Sequence, residues 1–343
     1  PDAVVRHNDT FALQAAVDRA LKEQRPVHVP SGHYRLAHTI RVNHAAAIAI
    51  EGASAVDTVL DISDGEGACF TLSGGTEVTL RNFRMAGFMG FDERDKAGYI
   101  HTRGSTYIWG FGLKHCNGIS ISGTERVLVE NCHASKMNCE AFYCQGNSRS
   151  GTNEPKAYTK SLTYLRCSAT NCDGNGFNNN DLAENTSVLH CRIVDVGGCT
   201  WEGASRFVKF VGNYVRNSGT VAMGNLGPAN RDETYVRNSG PVAMGNIGSR
   251  AELREQLGSG QHLVADNVFE GRTFYNRRPG GYIVRATCGA TQVIVRNNLF
   301  VNYNSCAVEI VPGGDTRHLP TSNCTITGNI MDMTAVGEDS RPR

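Results

Sequence analysis

The sequence has no long apolar run and almost no net charge. No stretch approaches the roughly 18 apolar residues of a membrane-spanning helix, so we expect no membrane association. Lys and Arg number 34 against 33 Asp and Glu, a net charge of +1. No global field therefore favours nucleic acid, and no nucleic-acid partner is expected. No signal peptide is visible, and the chain starts at Pro1 rather than Met, which is compatible with removal of a leader or of another domain.

Metal-binding cysteine motifs are also missing. The chain holds 12 cysteines, but no C-x-x-C pair with zinc-like partners occurs, so we expect no metal cluster. Their spacing instead follows short β-rich runs, where a cysteine serves as a small buried filler. We therefore predict a packing role for most of them.

Short β-rich runs recur along the chain, and most contain Asn or Cys at one aligned position. Examples are TLRNFRMA, VLVENCHAS and KFVGNYVR. Stacked asparagines at a bend satisfy one another and the turn backbone. The predicted bend column is Asn82, Cys132, Cys167, Cys191, Asn213, Asn267, Asn298 and Asn329.

A second strand follows each bend, and its side chains alternate in direction. Cys132 to Tyr143, Cys167 to Asn178 and Cys191 to Glu202 are each 11 residues apart. The predicted inward column is Phe142, Phe177, Trp201, Val221, Tyr282 and Val308. The predicted outward column is Thr71, Ser120, Tyr143, Asn178, Glu202, Ala222, Ile283 and Glu309.

These columns predict an all-β fold, a single-stranded parallel β-helix forming one domain over 1–343. An antiparallel sandwich is the alternative, and it would need hairpin turns instead of in-register columns. An amphipathic helix with a polar cap at Asp9 or Thr10, followed by a strand, is predicted over 8–28 and would cover the open end of the stack. Loop insertions are predicted at 86–115 and 145–161.

The stretch DTFALQAAVDRALKEQRPVHVPSGHYRL, with the columns, resembles the pectate-lyase-like right-handed parallel β-helix superfamily. That resemblance implies a right-handed coil with an N-terminal capping helix. It spans almost the whole chain, but the superfamily contains polysaccharide lyases, glycoside hydrolases, sugar epimerases and phage tailspikes. The Asp pair and Gly-His-Gly of polygalacturonases are not seen, so no catalytic residue is carried over.

One stretch is duplicated. Residues 214–227 and 235–248 match at twelve of fourteen positions, at an offset of 21. A repeat of this length is typical of coil architectures. The range 214–248 is therefore interpreted as a duplicated coil inserted in phase, with an extruded loop as the alternative.

The polar part of the outward column is the candidate active surface. Glu202 is proposed as a general acid or base, with Asp181 as its carboxylate partner and Tyr143 as a proton donor, acceptor or sugar-stacking group. Amides and cations on and around the strip would bind substrate. The predicted binding residues are Asn178, Asn180, Gln145, Arg206, Lys160, Arg285 and, in the aromatic insertion, Trp109 and His101.

The predicted function is cleavage of glycosidic bonds in a poly- or oligosaccharide, by hydrolysis or by elimination. The alternatives are a non-catalytic glycan-binding spike or adhesin, such as a tailspike segment, and a sugar epimerase. No cofactor is expected, except that Ca²⁺ is possible for a uronan lyase. We expect a monomer or a homotrimer and an exported or extracellular location.

Overall fold

The protein is described here by a computed structural model. The described residues are 8–88, 116–145, 159–218, 221–223, 260–271, 274–275, 278–279, 282–286, 291–303, 306–310 and 322–332. Within this part of the chain, no helix is long and apolar enough to cross a membrane.

Strands from successive turns of the chain pair in parallel to form two long sheets. The 18-stranded sheet contains two of the three faces of the coil, joined at a one-residue bend, and the nine-stranded sheet forms the third face. This is a parallel β-helix preceded by a helix, which confirms the predicted fold class.

The third face consists of nine strands. They are β3 (Ile40–Ala45), β6 (Gly67–Gly75), β8 (Cys116–Ser122), β10 (Phe142–Gln145), β13 (Phe177–Glu184), β16 (Trp201–Arg206), β19 (Val221–Met223), β24 (Tyr282–Ala286) and β27 (Cys306–Ile310).

The other two faces alternate along the chain. Their strands are β1 (Val27–Val29), β2 (Gly32–Arg35), β4 (Ile48–Gly52), β5 (Thr58–Asp61), β7 (Glu77–Ala86), β9 (Arg126–Ser135), β11 (Ser161–Leu165), β12 (Ser168–Cys172), β14 (Thr186–Leu189), β15 (Arg192–Val196), β17 (Lys209–Val211), β18 (Tyr214–Arg216), β20 (Gly260–Ala265), β21 (Val268–Glu270), β25 (Thr291–Arg296), β26 (Leu299–Val301), β28 (Thr325–Thr327) and β29 (Ile330–Asp332). A short antiparallel pair, β22 (Phe274–Tyr275) and β23 (Arg278–Pro279), stands apart.

The bend between the first and second faces is made by one residue with a left-handed backbone. Asn, Asp and Gly accept this conformation most readily. At Gly212 an added Cβ would come within 2.6 Å of the His190 ring, so glycine is required there. The bend residues are Asn82, Asn131, Arg166, His190, Gly212, Asp266, Asn297 and Gly328, all with positive φ.

The residue after each bend points into the core and forms the ladder predicted from sequence. Asn267 is buried; its amide donates to the Phe210 carbonyl (2.9 Å) and to Asn298 Oδ1 (2.8 Å). One member of the predicted column was wrong, because Phe83, not Asn82, pairs with Cys132. Asn82 is the bend residue itself, and its Oδ1 accepts a hydrogen bond from Asn131 Nδ2.

Aromatic side chains stack along the core. Phe142 and Phe177 are register partners with ring centroids 4.8 Å apart and nearly parallel, and Tyr164 lies 4.9 Å from the Phe177 ring. Trp201 continues this column and is fully buried. Each ring removes a large apolar area from water, at about 2–3 kcal/mol per side chain.

The N-terminal helix α1 (Thr10–Glu23) covers the first turn of the coil. Gln14 donates to the Arg41 carbonyl (2.9 Å) and accepts from the Arg41 N–H (2.7 Å), which satisfies the free edge of β3. Asp9 is the N-cap residue but makes no side-chain cap bond; its carboxylate instead accepts from the Arg35 N–H. The predicted cap thus serves the neighbouring strand, not the helix.

The first copy of the duplicated stretch lies partly in described strands. Its strands β18 and β19 pair in parallel with β21 and β24. The duplicated coil over 214–248 stays a prediction. The second copy, 235–248, lies outside the described residues, as do 89–115 and 146–158 of the predicted insertions.

Candidate functional site

The predicted polar strip runs across the third face in the expected register for most of its length. Tyr143 pairs with Asn178, and Asn178 with Glu202. Beyond Ala222 the register differs by two residues, because Arg285, not Ile283, is the partner of Ala222 and of Glu309. For the same reason Val284, not Tyr282, continues the inward column.

Asn178 is buried even though it lies on the outer side of its strand. It alternates with core residue Phe177, yet its exposure is 0%. Its Nδ2 donates to Glu140 Oε1 at 3.3 Å. Asn178 thus connects the strip to a carboxylate that sequence reasoning did not select.

Glu140 lies in the turn that precedes the third face. Backbone bonds around the turn place Asn117, Glu140, Asn175 and Cys199 at equivalent positions, two residues before Ile119, Phe142, Phe177 and Trp201. Asn117 Oδ1 accepts the Glu140 N–H (2.9 Å), and Asn175 Oδ1 accepts the Cys199 N–H (2.7 Å). These amides hold successive turns in register.

Glu202 accepts a hydrogen bond from the side-chain amide nitrogen of Asn175. Because Asn175 Oδ1 is occupied by the Cys199 N–H, its Nδ2 points the other way and donates to Glu202 Oε2 at 2.6 Å. Burial and the nearby charge of Glu140 raise the pKa of Glu202 from 4.5 to about 7, against the opposing effect of the Asn175 bond. Glu202 is therefore about half protonated near neutral pH.

The two carboxylates lie on either side of the turn that carries Asn175 and Asn178. Glu140 also accepts a hydrogen bond from the Cys139 thiol through Oε2. Asn178 Oδ1 is buried and has no hydrogen-bond partner within the described part of the chain. A buried oxygen without a donor costs about 1–3 kcal/mol, so this atom is suited to accept a hydrogen bond from a ligand.

Comparison with known proteins relates the fold to solved structures only. No protein-family model and no curated protein matches this chain. The catalytic domain of Agl-KA matches with a TM-score of 0.60 and 14% identity, over 96% of this chain and 56% of that domain. PfbA, a surface adhesin of Streptococcus pneumoniae, matches with a TM-score of 0.51 and 10% identity, over 95% of this chain and 88% of PfbA. An alginate lyase from Paenibacillus sp. has a TM-score of 0.49 at 14% identity, over 93% of each chain.

The shared feature is the fold. The Agl-KA domain and PfbA match the parallel β-helix over almost the whole of this chain, and such a coil is what the sequence resemblance implied. This chain spans little more than half of the Agl-KA catalytic domain. At such low identity the matches carry no catalytic residue to this chain.

Asp181, the predicted partner of Glu202, lies in a bulge. Pairing of β13 with β16 shifts between Asn179 and Ala183, so Asn180, Asp181 and Leu182 leave the regular ladder. The separation of Asp181 and Glu202 expected from regular strand geometry therefore does not apply. Bulges are common next to active sites. The side chains of Asn180 and Asp181 are not among those described.

Two of the predicted cations are bound to other acids. Lys160 makes an ion pair with Glu125 just before β11, away from the strip. Arg285 lies in the strip and makes an ion pair of 2.7 Å with Glu309. Neither is brought to Glu202: Lys160 lies outside the strip, and Ala222 separates Arg285 from Glu202.

The remaining predicted residues are placed in part. Tyr143 is half-buried beside Asn178 in the strip, and Gln145 pairs with Asn180 at the backbone. Arg206 pairs with Glu184 at the end of β16, and its side chain is not described. His101 and Trp109 lie outside the described residues.

Sequence reasoning missed Glu140 and Asn175. A signal was present, since both stand two residues before a large inward aromatic, Phe142 or Phe177. Extending the register backwards into the turn would have aligned them. Among the described residues, no group of three or more His, Cys, Asp or Glu side chains forms a metal site; whether Ca²⁺ takes part remains a prediction.

Proposed function

We propose that this protein is a carbohydrate-active enzyme that hydrolyses glycosidic bonds, with Glu140 and Glu202 as its carboxylate pair. Most glycoside hydrolases use two carboxyl groups about 5–9.5 Å apart. Glu140 and Glu202 belong to turns of the coil separated by one other turn, which is two spacings of about 4.8 Å. Glu202 also lies three residues further along its turn than the position equivalent to Glu140, so their backbones are roughly 14 Å apart. Both side chains reach the turn between them, where Glu140 accepts from Asn178 and Glu202 accepts from Asn175. The charge of Glu140 also raises the pKa of Glu202, which supports carboxyl groups closer than their backbones.

The different surroundings of the two acids support different roles. Glu202, with its pKa raised to about 7, would donate a proton to the glycosidic oxygen as the bond to the anomeric carbon breaks. Glu140, which is held by the Asn178 amide and the Cys139 thiol, would take a proton from the attacking water or attack the anomeric carbon itself. When two carboxyl groups are neighbours, their different surroundings shift their pKa values apart, which decides which group acts as the acid and which as the base.

The observation that carries the proposal is the position of Asn178. Its buried Oδ1 lies next to Glu140 and one strand from Glu202 and has no donor within the described residues. Sugar hydroxyl groups are hydrogen-bond donors, and one of them would satisfy this oxygen. Asn175 would act as a positioning residue, since its amide is fixed at one end by the Cys199 backbone and holds Glu202 with the other.

The test is sugar release from a panel of neutral and acidic glycans by wild type, Glu140→Gln and Glu202→Gln. Loss of an acid or base reduces the rate about 10²–10⁴-fold, and we expect each variant to fall in this range. Glu77→Gln is the matched control, because Glu77 is exposed and paired with Arg126 on the first face. Undiminished hydrolysis in both glutamine variants would refute the assignment.

The products distinguish hydrolysis from the other chemistries. Unsaturated uronate ends, detected by their ultraviolet absorbance, would indicate β-elimination, for which Tyr143 beside Asn178 is the candidate base. Altered stereochemistry without chain shortening would indicate an epimerase. Binding without any chemical change across the panel would indicate a glycan-binding adhesin. Because large polysaccharides are mostly extracellular, we also propose that this protein is exported.

A further inference from the structure

A column of basic and hydrogen-bonding side chains runs along the second face, outside the candidate active site. Arg84 on β7 pairs with His133 on β9, His133 with Ser168 on β12, and Ser168 with Arg192 on β15. Each alternates with core residues, so all four point outward. We call Arg84, His133, Ser168 and Arg192 the basic column.

Both arginines of the column lack an acidic partner. Arg84 and Arg192 are exposed, and neither makes an ion pair with a carboxylate in the described part of the chain. Acids on the strands of this face have other partners: Asp61 binds His33 and the Ser63 N–H, Asp195 accepts from the Asn217 amide, and Glu270 accepts from the Tyr214 hydroxyl. By contrast, Arg81 and Arg126 on the first face of the same sheet are paired with Glu51 and Glu77.

The column is also ordered by internal contacts. The Arg192 guanidinium lies 4.9 Å above the centroid of the Tyr214 ring, which leaves the N–H groups at its edge available. His133 Nδ1 and Ser168 Oγ are 2.9 Å apart and share a hydrogen bond. Burial, followed by the nearby charge of Arg84, lowers the pKa of His133. His133 is therefore mostly neutral at neutral pH and available to gain a proton.

We propose that the basic column binds an acidic polysaccharide lying along the coil axis, separately from any cleavage at Glu140 and Glu202. Arg84 and Arg192 are three strand spacings apart, roughly 14 Å, which suits a polymer with repeated carboxylates better than one small anion. Guanidinium groups bind carboxylates through paired N–H donors, and Ser168 with His133 would contact hydroxyl groups between them. Single-stranded nucleic acid is the weaker fit, because proteins that hold it combine longer cationic grooves with several stacking aromatics.

The experiment uses Glu202→Gln protein, so that binding is measured without degradation. The probes are an oligogalacturonate, a neutral malto-oligosaccharide of equal length and an oligothymidylate, with affinities from calorimetry at two salt concentrations. We expect only the oligogalacturonate to bind, with affinity that falls as salt rises. Arg84→Gln and Arg192→Gln should each weaken binding about tenfold. Arg126→Gln removes an exposed arginine already paired with Glu77 and should leave affinity unchanged.

A second measurement reports on the site itself. The pKa of the His133 imidazole, followed by NMR, should rise when the oligogalacturonate binds, because a carboxylate favours the protonated ring. Equal binding of the neutral oligomer, stronger binding of the oligothymidylate, or unchanged affinity in both arginine variants would overturn the proposal. The assay measures binding alone. Its result can therefore be interpreted even if Glu140 and Glu202 prove not to catalyse hydrolysis.

Discussion

Replacing Glu202 with glutamine should change how stability depends on pH. Glutamine has the same shape and stays neutral, and its Oε1 still accepts the hydrogen bond from Asn175 Nδ2. The substitution therefore removes the titration of one half-buried group while keeping its packing. In wild type, the native state keeps the Glu202 proton up to a pKa of about 7, whereas the unfolded chain loses it near 4.5.

The size and sign of the effect follow from this difference. Between those two pH values the native state binds more protons than the unfolded state, so the free energy of unfolding falls as pH rises. A difference of one unit between the native and unfolded pKa corresponds to about 1.4 kcal/mol in the free energy of unfolding. Allowing for solvent screening of a half-buried group, wild type should lose about 2–3 kcal/mol of stability between pH 4.5 and neutral pH through Glu202 alone. Glu202→Gln should not show this loss.

Thermal unfolding of wild type and Glu202→Gln at about pH 5 and about pH 8 measures this difference in pH dependence. We expect similar melting temperatures at the lower pH and a higher one for Glu202→Gln at the higher pH. Glu140→Gln removes the charge that helps to raise the pKa of Glu202, so that pKa should fall when followed by carboxyl-carbon NMR. Glu125→Gln is the control with opposite sign, because Lys160 lowers the pKa of Glu125. Identical pH dependence in wild type and Glu202→Gln would refute the reasoning.

Two further predictions concern the fold. Asn267→Ala should destabilise the protein by about 3 kcal/mol, because it removes two donated bonds and leaves the buried Asn213 N–H without its acceptor; Asn329→Ala, at the half-exposed end of the same ladder, should cost less in the same melting experiment. Maleimide labelling at mildly alkaline pH should modify exposed Cys306 but not Cys132, Cys144 or Cys172, whose thiol pKa burial raises to about 12. Labelling of those three cysteines without unfolding would contradict their buried placement.

The coil was predictable because its side chains repeat under a strong constraint. An inward side chain in each turn must pack on the one before it, so Cys132, Cys167 and Cys191 keep their spacing to the strand that follows. The misplacement of Asn82 has a physical reason. Asparagine suits both the left-handed bend and the inward ladder position, and TLRNFRMA fits either register until the partner strand is known.

The error at β24 has a different cause. A shift of two residues leaves the inward and outward alternation of a strand unchanged, so the pattern of Tyr282 to Ala286 fits two registers equally well. Only the pairing of Ala222 with Arg285 decides between them. The bulge in β13 escapes sequence reasoning for a related reason. Between Asn179 and Ala183 this strand holds two more residues than β16, and two extra residues leave the alternation on either side unchanged.

Glu140 was missed because turns carry no periodic pattern, yet its setting explains why chemistry belongs there. The neighbouring turns hold amides at the equivalent positions, and Asn117 and Asn175 each accept a backbone N–H from the next turn of the coil. At Glu140 this series of amides is interrupted by a carboxylate, which is bound by a thiol and by Asn178. Another amide at this position would keep the series without burying a charge. The carboxylate at Glu140 and the Asn178 oxygen without a donor both lower the stability of the free protein. Because natural proteins depart from such regular patterns mainly at functional sites, we infer that a ligand bound here would restore that stability.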